Sequence, residues 1–146
     1  MTVLILTHGR LAQELLEAAR VIVGELSAFH ALSLDWTDGP EEAERKLSEA
    51  IEDLEDEGGV LVLTDIYGGT PFRAACTLHR PGRIEVVAGV NLPMVVRLAC
   101  GSRPSQPVGE LADWIVERGR SGISRFDGET ESMPAPCRED GDDGGA

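Results

Sequence analysis

The first 123 residues alternate short, unbroken apolar runs with longer stretches in which apolar residues recur every three or four positions. Residues 2–7 (TVLILT) and 60–64 (VLVLT) show no polar alternation, the pattern of strands covered on both faces. Residues 29–34 (FHALSL) and 83–88 (RIEVVA) predict two further strands. Between them, Leu11, Leu15, Ala18, Ala19 and Ile22 predict a helix with Gly24 as its C-cap. The run Asp38-Gly39-Pro40-Glu41-Glu42 is a helix start, with a capping acid, a proline in the first turn and acids near the positive dipole end. Ala43, Leu47, Ala50, Ile51 and Leu54 then form one apolar stripe, ended by Gly58-Gly59, and the acids from Glu41 to Glu57 make its solvated face. Pro71 opens a short helix through Phe72, Ala75 and Cys76, and Pro93 lies at the start of another. Leu111, Trp114, Ile115 and Arg118 belong to a last helix that fades at Gly122. Strand–helix alternation implies right-handed crossovers and an α/β fold: a doubly wound, mainly parallel sheet with helices on both faces. In such sheets the chemistry lies beyond the carboxyl ends of the strands, near a topological switch point.

Composition changes the picture at the far end. The chain has 146 residues and a formal net charge of −13, from 13 Lys+Arg against 26 Asp+Glu. Residues 124–146 hold seven of those acids (Asp127, Glu129, Glu131, Glu139, Asp140, Asp142, Asp143) and only two arginines, so they read as an acidic, disordered tail. Residues 1–123 form the single folded domain, still at −8. This acidity argues against binding nucleic acid or an anionic membrane surface, both of which need an electropositive face. No apolar run approaches the ~18–20 residues that span a bilayer. The N-terminus reads as a first strand, not an export signal. Cys76, Cys100 and Cys137 form no CxxC pair and predict no disulfide framework, which suits a reducing cytoplasm.

Candidate chemistry gathers at one predicted sheet edge. His8 directly follows the first buried run, and Asp65 the third. A carboxylate holding one ring nitrogen fixes the imidazole tautomer and leaves the other as a lone-pair nucleophile or base. Gly9 lies at the first helix start, and Gly68-Gly69-Thr70-Pro71 at the third. Two helix starts facing one spot offer amide donors and positive dipole ends to an anion such as a phosphoryl group, with the Thr70 hydroxyl beside them. Taken singly, each residue has a plainer reading: a satisfied polar His, a capping Asp, a glycine turn. Their convergence favours an imidazole that handles a phosphoryl group. His30, inside a strand, and His79, near a helix end, read as structural. Tyr67 lines the site or covers the sheet edge.

Three motifs in order then carry a resemblance: Thr7-His8-Gly9, the run Asp65-Ile66-Tyr67-Gly68-Gly69-Thr70-Pro71-Phe72, and Ala88-Gly89-Val90-Asn91-Leu92-Pro93-Met94. Over roughly residues 1–122 the chain resembles the mannose-family enzyme IIA domain of the bacterial phosphoenolpyruvate-dependent sugar phosphotransferase system. The resemblance implies that His8 takes a phosphoryl group on Nε2 from the histidine phosphocarrier protein HPr and passes it to a IIB partner. It implies that Asp65 hydrogen-bonds the other ring nitrogen, that Thr70 is the hydroxyl near the phosphoryl group, and that the domain dimerises by exchanging an edge strand. No metal and no cofactor are expected. With an acidic tail where some family members continue into a IIB domain, the expected acceptor is a separate protein, or the chain is a regulatory module read by its phosphorylation state. The phosphotransfer subunit of dihydroxyacetone kinase systems shares the fold and an N-terminal histidine, but Gly-Gly-Thr-Pro and Gly-Val-Asn-Leu-Pro favour the sugar-transport branch. A histidine phosphatase of the phosphoglycerate mutase type fits poorly, because Thr7 stands where those enzymes carry Arg.

Overall fold

The computed structural model describes residues 1–54, 57–101, 105–129 and 135–137. In chain order the elements are β1 (Thr2–His8), α1 (Leu11–Val23), β2 (Phe29–Leu34), α2 (Pro40–Leu54), β3 (Val60–Thr64), α3 (Thr70–Thr77), β4 (Ile84–Ala88), α4 (Leu92–Cys100) and α5 (Val108–Ser121). The four strands form one sheet in the order β2-β1-β3-β4, with every pairing parallel.

Period-two alternation along the central strands sorts the core into two layers. Val3 and Ile5 of β1 and Leu61 and Leu63 of β3 pack with Ala12, Leu16 and Ala19 of α1, Val95 of α4, and Leu111 and Ile115 of α5. Leu4, Leu6, Val60 and Val62 face the other way, onto Ala43, Leu47 and Ile51 of α2 and Ala74 and Ala75 of α3. Helices therefore cover both faces, and β1 and β3 are buried along almost their whole length. The chain winds outward from β1 to β2, then returns and winds the other way from β3 to β4. The switch point thus falls between the carboxyl ends of β1 and β3.

Three boundaries move slightly from those expected: β1 runs one residue further, to include His8, α3 begins at Thr70, one residue before the proline, and β4 begins at Ile84, one residue after Arg83. The expectation of unpaired cysteines is corrected. Cys100, the last residue of α4, is disulfide-bonded to Cys137, with Cα atoms 5.6 Å apart, while Cys76 is free. A pairing across 37 residues is decided by where α4 ends in space, which spacing does not reveal. The acidic-tail expectation falls largely outside the described residues, at 130–134 and 138–146. No described helix is long and apolar enough to cross a membrane.

Candidate functional site

The parallel register that pairs Leu6 with Thr64 brings the ends of β1 and β3 level, so His8 and Asp65 meet at the switch point. Asp65 Oδ2 lies 2.8 Å from His8 Nδ1 and accepts the His8 backbone N–H at 3.0 Å, while Oδ1 accepts the Ile66 N–H at 2.9 Å. The Asp65 side chain is 9% exposed and that of His8 22%. Burial alone would raise the Asp65 pKa. The hydrogen bonds from the His8 backbone and ring and from Ile66, with the attraction of His8, outweigh it and hold the carboxyl below its ordinary value. An ionised carboxylate can only accept, so Nδ1 carries the ring proton. In the neutral ring Nε2 then holds the lone pair, and among the described residues it has no hydrogen-bond partner.

The third helix start closes on the same ring. Gly69 is the N-cap of α3, and a Cβ there would lie 3.1 Å from His8 Cε1 and 3.3 Å from the Ile66 carbonyl, close enough that a larger residue would push the ring or the carbonyl by a few tenths of an ångström. Gly68 has φ +81°, a left-handed conformation that glycine adopts without strain, and its carbonyl accepts from Arg73 Nε at 2.7 Å. Thr70 opens α3, partly exposed, and its hydroxyl has no partner among the described residues. The amides divide differently from the sequence-based expectation. Those of Gly9 and Gly69 are already engaged, donating to the carbonyls of Leu34 (2.8 Å) and Ile66 (3.1 Å). As first-turn donors without an intrahelical acceptor, the N–H groups of Thr70 and Phe72 remain at this edge. They sit at the positive end of the α3 dipole.

Other conspicuous residues have structural duties. His79 pairs with Glu85 at 3.0 Å, and His30 lies within β2 opposite Leu4. Tyr67 is 81% exposed and packs against Phe72 at 4.5 Å between ring centroids. Asn91 caps α4 by accepting from Met94 N–H at 3.0 Å and reaches Gly119 O at 3.0 Å. The Gly89 and Val90 amides donate to the carbonyls of Asp65 and Thr64, so the 89–91 loop braces the floor beneath the site.

Two contributors were missed by sequence reasoning. The wholly buried Thr7 hydroxyl accepts from Ala12 N–H at 2.8 Å and so caps α1 beside His8. Trp36 stacks on the His8 imidazole, with ring centroids 5.1 Å apart and planes 16° from parallel. It lies two residues past the end of β2, at the same sheet edge, so the strand-end rule that drew attention to His8 and Asp65 had the means to reach it.

Comparison with known proteins agrees with this fold. The family model described as "PTS system fructose IIA component" matches residues 2–116. The mannose-specific EIIAB component of the phosphotransferase system of Escherichia coli (strain K12) is 31% identical over 138 residues, 94% of this chain but 43% of that protein, so the chain spans less than half its length. The sorbose-specific EIIA component of Lacticaseibacillus casei is 31% identical over 118 residues, 80% of this chain and 84% of that one. Among solved structures, the mannose/sorbose-specific IIA subunit from Enterococcus faecalis superposes with a TM-score of 0.77 at 33% identity, covering 86% of this chain and 94% of that one. A sheet that brings His8 and Asp65 to one switch point, and a family match across nearly all of the folded region, lead to one conclusion: the chain belongs to the mannose-type enzyme IIA family of the sugar phosphotransferase system.

Proposed function

We propose that the protein is a cytoplasmic phosphocarrier whose His8 accepts a phosphoryl group from phospho-HPr and hands it to a IIB partner. The observation that carries this reading is the Asp65–Nδ1 contact at 2.8 Å, which leaves Nε2 as the bare ring nitrogen. In the forward step the Nε2 lone pair attacks phosphorus as the P–N bond to the donor imidazole breaks. The donor nitrogen keeps the electron pair, and His8 keeps its Nδ1 proton. The loaded ring is then an imidazolium, stabilised by the Asp65 carboxylate. Transfer onward reverses these roles with the IIB histidine as acceptor. Such a loose transition state asks for alignment and neutralisation of the phosphoryl oxygens more than for covalent activation. The Thr70 hydroxyl and the Thr70 and Phe72 amides supply that neutralisation, at the positive end of α3. Gly68 and Gly69 contribute by letting the loop come close, and Gly9 by letting the chain turn at φ +54° from β1 into α1. No metal or cofactor takes part in this scheme.

The folded region's acidity suits partners that dock with a basic face. We further propose a homodimer made by exchange of an edge strand. β4 is an edge of the sheet, and the segment after α5 carries two exposed apolar side chains, Ile123 at 79% and Phe126 at 61%. Incubation with phosphoenolpyruvate, enzyme I and HPr, followed by peptide mapping in alkali, tests the carrier. One phosphoryl group on the His8 peptide, lost in His8→Ala, is expected. Labelling of His8→Ala would contradict the assignment.

A further inference from the structure

Trp36 is a large side chain left 78% exposed, yet the loop that carries it is tied down. Asp35 N–H donates to Asp38 Oδ2 at 2.8 Å, Asp38 N–H to the Asp35 carbonyl at 2.9 Å, and the Thr37 N–H and hydroxyl to Asp35 Oδ1 at 3.0 and 2.9 Å. Lys46 Nζ donates to Asp38 Oδ2 at 2.6 Å, which anchors the loop to α2. An indole so exposed contributes little through burial. What these bonds determine is its location, against the face of the His8 ring. Gly9 makes room for it, since a Cβ there would stand 3.0 Å from Trp36 Nε1. The imidazole is thus bounded by Asp65 at Nδ1, by Gly69 beside Cε1 and by Trp36 across one face.

We propose that Trp36 is a positioning residue for phosphoryl transfer at His8. Its indole holds the imidazole plane in line for attack by Nε2, and its π face stabilises the positive charge the ring acquires as the N–P bond forms. The proposal rests on the reading of His8 as phosphoryl acceptor. Tryptophan offers the strongest aromatic face to a cation. The ring that attacks holds a lone pair on Nε2 and the loaded ring is an imidazolium, so the stack is stronger in the charged transition state than before it and accelerates the step. An exposed aromatic beside a protein-transfer site has an obvious competing role, as a contact that only holds the incoming donor. The two roles separate kinetically.

The test uses the full chain with two donors: phospho-HPr, and potassium phosphoramidate, which has no protein surface and loses ammonia as Nε2 takes the phosphoryl group. Trp36→Leu keeps apolar bulk without a π face, and Trp36→Phe restores one. Trp36→Leu should lower kcat from phospho-HPr about threefold to tenfold with KM nearly unchanged. The rate from phosphoramidate should fall similarly, and Trp36→Phe should recover most of it. The second tryptophan, Trp114, lies on α5, so Trp114→Phe leaves Trp36 as the only indole. Its emission should change when His8 is loaded. An unchanged kcat in Trp36→Leu, or a loss confined to KM with phospho-HPr and absent with phosphoramidate, would overturn the proposal. Failure of wild-type His8 to take label from either donor would instead sink the phosphocarrier reading itself. Matching thermal unfolding of the variants shows that any loss is local.

Discussion

Replacing Asp65 by Asn removes one charge and almost no volume, and the geometry says what is lost. The carboxylate accepts three hydrogen bonds, two from His8 on Oδ2 and one from the Ile66 N–H on Oδ1. An asparagine has one acceptor oxygen. With that oxygen toward His8, its NH2 group faces the Ile66 N–H, donor against donor, and one bond goes. The cost to stability is about 1 kcal/mol. The larger effect falls on the loaded ring. A hydrogen bond to a charged group contributes about 1.5–3 kcal/mol and a neutral one about 1 kcal/mol, so the phosphorylated imidazolium loses about 1–2 kcal/mol. Loading of His8 should slow about fivefold to thirtyfold, because the ring gains its positive charge in that step. The assay is rapid-quench transfer from phospho-HPr, with urea unfolding as the control for folding. Acid titration adds a signed check. The Asp65 pKa is depressed in the folded state, so its stabilisation is present above the unfolded-state pKa and is lost as pH falls through the lower folded value. Asp65→Asn should therefore lose less stability than the wild type on strong acidification. Transfer within twofold of wild type, together with an unaltered acid profile, would refute the role given to this carboxylate.

Three further outcomes are expected. Thr7→Val leaves the Ala12 N–H at the start of α1 without its acceptor in a fully buried position, and should cost about 1–2 kcal/mol in urea unfolding. Gly69→Ala places a methyl 3.1 Å from His8 Cε1, so transfer should fall about tenfold while unfolding changes little, in the manner of small misplacements at reacting centres. The wild-type chain should elute with a mass near twice its 15.6 kDa, and deletion of the residues from 122 onward should yield a monomer.

The parts of this molecule that could be read from its sequence are those in which one physical cause dominates. β1 and β3 are buried on both faces, so their sequences carry no polar interruption, and their ends were placed within a residue. α2 announces itself through Pro40, its early acids and a single apolar stripe. His8 and Asp65 could be expected to meet if β1 and β3 were neighbours, and the sheet order β2-β1-β3-β4 makes them so. The place of Trp36 just past the end of β2 could be read in the same way, but its contact with His8 could not. An aromatic among Asp35, Thr37, Asp38 and Gly39 reads as loop, and its stack on His8 depends on bonds that join Asp35 to Asp38 and Asp38 to Lys46 of α2. The Gly9 amide looked available to an anion because a strand–glycine–helix junction often leaves it so. Here the neighbouring β2 ends with its Leu34 carbonyl directly opposite and takes that bond. The Cys100–Cys137 pair was invisible for a related reason, since nothing local tells where a tail returns to the fold.

The most direct measurement of the central claim is which ring nitrogen carries the phosphoryl group. Protein labelled with 15N at histidine and phosphorylated through HPr can be read by NMR from 31P–15N coupling within the His8 ring. The account requires phosphorus on Nε2, with Nδ1 protonated and held by Asp65. Phosphorus on Nδ1 would mean that the 2.8 Å contact breaks during transfer, and would contradict the mechanism built on it.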